Sequence, residues 1–136
     1  MTIGTVTRVA CVAFAALLLG CFPDPTLDQE TLSELSRLVE NAPPEHAEGK
    51  AVFESVCVAC HGTMAQGVPE LGPPLAHPVY RPSHHADAAF TLAIQRGVRA
   101  HHWRFGDMPA VPGISPESAE QIVAYLRWLQ RGVGID

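Results

Sequence analysis

The sequence predicts a small all-α domain of three to four helices joined by long loops. Three observations carry this. Apolar residues recur at helical spacing in four segments. No run alternates apolar and polar residues as a half-buried strand would. Two loop regions, 62–82 and 98–114, hold much of the proline and glycine. Loops this long are unusual in so small a domain, and they make sense if they wrap a bulky group rather than each other.

The chain has 136 residues, and the N-terminal part reads as an export segment rather than as fold. Residues 1–20 carry a single charge, Arg8, and an apolar run from Val9 to Leu19. That run is too short for a bilayer core about 30 Å thick but suits the apolar centre of a signal peptide. Leu18-Leu19-Gly20-Cys21 follows, and it resembles the lipobox of bacterial lipoproteins. The resemblance implies cleavage before Cys21 and lipidation of that cysteine. The alternative is an ordinary signal cut nearby, with Cys21 free or oxidised. Loss of Arg8 leaves 8 basic against 14 acidic residues, a net charge of −6. Such a charge argues against nucleic acid and against electrostatic attraction to anionic lipid; it suits a partner with a basic patch.

The expected organisation is a signal peptide (1–20), a lipidated tether with a short amphipathic helix (21–44), and a folded domain (45–136). Pro23 and Pro25 keep the start of the tether irregular. Leu27, Leu32, Leu35, Leu38 and Val39 then share one helical face over 27–40, expected to rest on the main domain, with a spacer or partner-docking role as the alternative. A second helix should run from about Glu45 into the cysteine motif, with Gly49, Phe53 and Val56 on one face. A third is expected from Asp87 to Arg96, with Phe90, Ile94 and Leu92 or Ala93 inward and Gly97 as C-cap. The last has Ser115 as N-cap, Pro116 at the first position and Glu117 at the positive helix start. Its apolar face is Ile122, Tyr125, Leu126 and Leu129, and Gly132 should end it.

Four cysteines are present, of which Cys11 falls in the export segment. Cys57-Val58-Ala59-Cys60-His61 is C-x-x-C-H, the attachment signature of c-type haem. On a helical turn, positions i and i+3 share a face. Both sulfurs can then meet the two vinyl groups, and the next residue can turn its imidazole to iron. The rivals fare worse. A redox dithiol wants a βαβ context, and a zinc site wants four ligands. His77, His84 or His85 could complete such a set, but no second cysteine pair exists. A plain disulfide would leave His61 incidental.

Around this motif, residues from about Glu48 to Gly132 resemble a class I cytochrome c domain. Gly49-Lys50-Ala51-Val52-Phe53 is similar to the family's entering helix, and Ala124-Tyr125-Leu126 to its terminal helix. The resemblance implies a small cytochrome c fold around one covalent haem c, with the glycine allowing close approach and the aromatic packing at the crossing. Gly72-Pro73-Pro74-Leu75 is similar to the proximal loop, which implies that the Pro73 carbonyl accepts a hydrogen bond from His61 Nδ1 and raises its basicity.

The sixth iron ligand stays open between two residue types. Met64 is only three residues past His61, too close to reach round a porphyrin. Met108, in Gly106-Asp107-Met108-Pro109, resembles the family's methionine loop, with Pro109 stiffening the backbone and Gly106 permitting close approach. A core methionine is the plain reading. His101 and His102 are the competitors, and bis-histidine ligation would lower the potential. Each histidine pair, His84/His85 and His101/His102, reads as exposed surface, with metal binding a possibility that has no second signal. Arg99, Trp103, Arg104, Tyr80 and Arg81 are candidate propionate partners.

The function expected is single-electron transfer through a His61/Met108 haem between exported redox partners, by a monomeric carrier and not an enzyme. The alternatives are a haem enzyme or sensor with an open distal site, and an electron-entry subunit of a larger oxidoreductase. The expected location is the periplasmic side, lipid-anchored. The lipoprotein resemblance implies the outer rather than the inner membrane, because Phe22 stands where that family's inner-membrane members carry an aspartate after the lipidated cysteine.

Overall fold

A computed structural model of the protein describes residues 24–136. The expected signal peptide (1–20) and the lipidation site Cys21 lie outside the described residues. Five helices form among the described residues: α1 (Gln29–Glu40), α2 (Ala47–Val56), α3 (Val58–His61), α4 (Asp87–Arg96) and α5 (Pro116–Gly132). Short 3-10 turns occupy Pro44–His46 and Pro78–Tyr80. Among the described residues there is no sheet, only two isolated antiparallel bridges, Val68 with Gly72 and Val98 with Met108. No described helix is long and apolar enough to cross a membrane.

The helix ends follow their local chemistry. Asp28 accepts a hydrogen bond from the Thr31 amide and starts α1. Ser115 does the same from the Ser118 amide at α5, with Pro116 next in line. Gly97 ends α4 with φ +76°. At α5 the expectation shifts by a residue or two: Gly132 stays inside the helix, Val133 is the cap, and the positive φ falls at Gly134. The second expected helix divides at Cys57, whose amide still bonds the Phe53 carbonyl, so the cysteine motif forms its own turn. This break, with α1 counted, gives five helices among the described residues rather than the expected three to four.

The core is built where α2 crosses α5. Phe53 and Tyr125 meet there with ring centroids 5.8 Å apart. Ile122, Leu126 and Leu129 of α5 are buried, as their spacing predicts. Gly49 lies against the α5 backbone: a β-carbon built on it would sit 2.1 Å from the Gln121 carbonyl oxygen. Val56 corrects the expected face of α2, since it is 43% exposed. The helix turns it away where the chain swings into the cysteine motif. On α4, Phe90 and Ile94 face inward while Leu92 is 44% exposed.

Helix α1 rests on the far side of α5. Leu35 and Leu38 belong to the same core cluster as Ile122 and Leu129. Lys50 of α2 donates to the Val39 carbonyl at 2.8 Å, satisfying an acceptor in the last turn of α1. These contacts leave α5 touching α1, α2 and α4.

Candidate haem site

A cavity of about 320 Å³ opens between α2, α4, α5 and the two long loops. Its volume lies in the range of cofactor pockets, about 300–1,000 Å³. The wall is mostly apolar: Phe53, Leu75, Phe90, Ala93, Ile94, Val98, Ile122 and Leu126 contribute. Cys57, His61, Pro73 and Met108 are in the same wall.

His61 closes α3 and is 7% exposed. Its Nδ1 lies 2.9 Å from the Pro73 carbonyl oxygen, the partner that the loop resemblance implies. That carbonyl can only accept, so Nδ1 carries the proton and Nε2 keeps its lone pair. Burial lowers the pKa of His61, against the opposing pull of Pro73, and favours the neutral ring.

The proximal loop reaches His61 because Gly72 has no side chain. A β-carbon there would meet the Cys60 carbonyl oxygen at 2.6 Å. The His61 carbonyl accepts from the Gly67 amide at 2.7 Å, which holds the start of the loop. The loop's far end is held by α5. Gln130, buried, donates to the Leu75 carbonyl at 2.7 Å. Arg127, 5% exposed, donates to the Tyr80 carbonyl at 2.7 Å, to Gln130 Oε1 at 2.6 Å, to Asp87 Oδ1 at 2.7 Å and to the His85 carbonyl. Sequence reasoning missed this clamp. A polar residue beside Leu126 reads as solvent-facing, and three of its four acceptors lie 40 or more residues away.

Cys57 caps α3 and Cys60 lies within it, so both sulfurs stand on one turn. Cys57 is half-buried and in the cavity wall, whereas Cys60 is exposed and outside it. Burial, with Cys60 beside it, pushes the Cys57 thiol up to about 11. Such a thiol carries little thiolate at neutral pH, unlike the activated cysteine of a dithiol oxidoreductase.

Met108 enters the cavity from a pinned loop. Its amide and carbonyl both pair with Val98, at 2.9 and 2.8 Å. Asp107 accepts from the Ala100 amide at 2.8 Å. Gly106 serves this loop by conformation rather than by close approach: its φ is +91°, with open space where a β-carbon would stand. Met64 is outside the cavity wall and packs on the core.

His101 and His102 also line the cavity, joined by His85, which the sequence left unplaced there. The two histidine pairs come together: His84 Nε2 and His102 Nε2 are 3.1 Å apart across 18 residues of sequence. Among the suggested propionate partners, Tyr80 and Trp103 line the cavity and bond each other, Trp103 Nε1 donating to the Tyr80 hydroxyl at 3.0 Å. Arg81, Arg99 and Arg104 are exposed and outside the wall.

The residues present fit a haem on their own chemistry. A neutral, buried imidazole with a backbone anchor shares an apolar cavity with a thiol of C-x-x-C-H and a thioether. This arrangement defines a protein of the c-type haem class. The cytochrome c family model matches residues 46–130, and the chain belongs to the cytochrome c family. It binds one haem c covalently and serves haem-based electron transfer in general. No curated protein and no solved structure matches the chain.

Proposed function

We propose that this protein is a one-electron carrier in which Cys57 and Cys60 anchor the haem, His61 is the proximal ligand and Met108 the distal one. One observation carries the reading: the His61 Nδ1–Pro73 hydrogen bond stands in the same apolar cavity wall as Met108. When bound, haem c supplies reversible one-electron chemistry at iron. His61, kept in one tautomer by Pro73, presents Nε2 as a basic ligand. Met108 presents a soft thioether from a backbone fixed at both its amide and its carbonyl. The apolar wall excludes water, and with methionine ligation this favours a raised potential. With His61 and Met108 both holding the iron, no coordination site would remain for substrate, which suits a carrier rather than an enzyme. The carrier is monomeric and exported, held by lipid on Cys21 at the periplasmic side, at the outer rather than the inner membrane. It exchanges electrons with a protein donor and acceptor.

The test is the absorption spectrum of the oxidised and reduced protein, with Met108→Ala beside wild type. A low-spin haem with the weak red band of sulfur ligation, lost in the variant, supports His61/Met108. A spectrum unchanged by the substitution refutes Met108. A high-spin wild type would then favour an enzyme or sensor, and a low-spin one would favour His101 or His102, which share the cavity wall.

A further inference from the structure

Outside the proposed iron ligands, the structure gathers an unusual set of side chains at the rim of the cavity. His84 and His85 precede α4, and His101 and His102 lie in the loop that leads to Met108. All four rings pack together. Ring centroids are 4.6 Å apart for His84 and His85, 5.0 Å for His84 and His102, and 5.0 Å for His85 and His102. Their hydrogen-bond partners are one another and the Val79 and Arg99 carbonyls, and the Tyr80 ring packs against His85 with centroids 5.1 Å apart.

We infer that His84, His85 and His102 form a second metal site, for a divalent transition metal of borderline softness such as zinc or copper. One ring nitrogen from each lies within 4.8 Å of the other two. The 3.1 Å between His84 Nε2 and His102 Nε2 is close to the roughly 3.3 Å that separates two nitrogens bound at about 2.0–2.1 Å to a tetrahedral ion. His85 Nδ1 lies 2.9 Å from the Val79 carbonyl oxygen. Its proton is therefore on Nδ1, and Nε2 is left to coordinate. A backbone carbonyl behind a ligating imidazole is the usual outer-shell support. His101, whose Nδ1 donates to the Arg99 carbonyl at 2.9 Å, lies outside the set because its nitrogens do not converge with the other three.

Three imidazoles and no thiolate suit zinc, copper or nickel and not calcium or magnesium. Three protein ligands leave the fourth position of a tetrahedral ion to water. Copper should displace zinc, following the general order of affinities. Bound metal would tie the 81–86 segment to the 99–104 segment, both of which contribute to the cavity wall.

The test uses the haem-loaded protein without a histidine tag. Zinc is titrated in by calorimetry, and melting temperature is followed with and without zinc. Wild type should take up one equivalent and melt higher with the metal. His84→Ala is the informative variant, because His84 is exposed and outside the cavity wall. It should keep the wild-type haem spectrum, weaken zinc by more than about tenfold and lose the thermal shift. His102→Ala should weaken zinc by as much, and His101→Ala should bind zinc as wild type does. Failure of wild type to take up zinc, or undiminished binding in His84→Ala, overturns the site. Loss of binding in His101→Ala as large as in His84→Ala overturns the ligand set. A low-spin signature that disappears in His102→Ala makes His102 an iron ligand and overturns both this site and the Met108 assignment. The spectrum of Met108→Ala separates that last outcome from a failure of the zinc site alone.

Discussion

Gly49→Ala tests the crossing on which the cavity is built. On helix propensity alone the change should stabilise α2 by about 1 kcal/mol. The structure reverses the sign. The new β-carbon would stand 2.1 Å from the Gln121 carbonyl oxygen and 2.6 Å from its carbon, where ordinary contact begins at 3.4 Å. Both obstacles are backbone, so relief requires α2 and α5 to part by about 1 Å at this point. A gap of 0.5–1 Å already forfeits about a quarter to a half of the dispersion attraction of the atoms involved. Those atoms include the Phe53–Tyr125 pair. Overpacking of this kind costs about 1–3 kcal/mol; because rigid backbone resists, the upper end applies. After the propensity gain, the net loss is about 2 kcal/mol. For a domain near 100 residues this lowers the melting temperature by about 8–16 °C. Guanidinium unfolding of the haem-loaded protein, followed by circular dichroism, reads the loss as a lower midpoint at unchanged slope. Gly132→Ala is the control: its β-carbon meets only the Leu38 side chain and no backbone, and because a side chain can yield where backbone cannot, it should cost less than Gly49→Ala. A Gly49→Ala protein as stable as wild type would refute the reasoning.

Two further outcomes follow from the loop clamp and the buried phenols. Arg127→Met should cost about 2–4 kcal/mol, since buried acceptors at Tyr80, His85 and Gln130 lose their donor. Arg127→Lys should not recover it, because an ammonium cannot span the same acceptors; a lysine variant with the wild-type midpoint would show that charge alone matters. Tyr80 and Tyr125, the two tyrosines of the chain, are both pushed up to about 12, burial being the main cause. The folded protein thus keeps its phenol protons where the unfolded chain, at about 10, releases them. Stability is fully present below pH of about 10 and falls as pH rises toward 12. Ultraviolet titration of the folded protein should show no tyrosinate near pH 10, and one ionised tyrosine there would contradict the burial.

The sequence alone determined the elements whose signals are local. α4 begins at Asp87 and ends before Gly97, and α5 starts behind Ser115-Pro116, because caps and prolines act within a few residues. The haem motif was legible for the same reason, since attachment needs two thiols one turn apart and a histidine beside them. The family resemblance added the Pro73 partner, and the 2.9 Å hydrogen bond agrees with it. Tertiary structure decided what distant residues do to each other. Val56 shares a helical face with Phe53 in projection, yet the break at Cys57 leaves it in solvent. Arg127 and Gln130 fall outside the apolar pattern of α5 and carry no local signal, yet both are buried and hold the loops by their carbonyls. The two histidine pairs read as separate exposed patches, and only the folding of the 78–86 segment against the 99–104 segment brings their nitrogens within bonding range. Periodicity and capping report the nearest turn of chain, whereas hydrogen bonds spanning 18 to 55 residues exist only once the core has placed their partners.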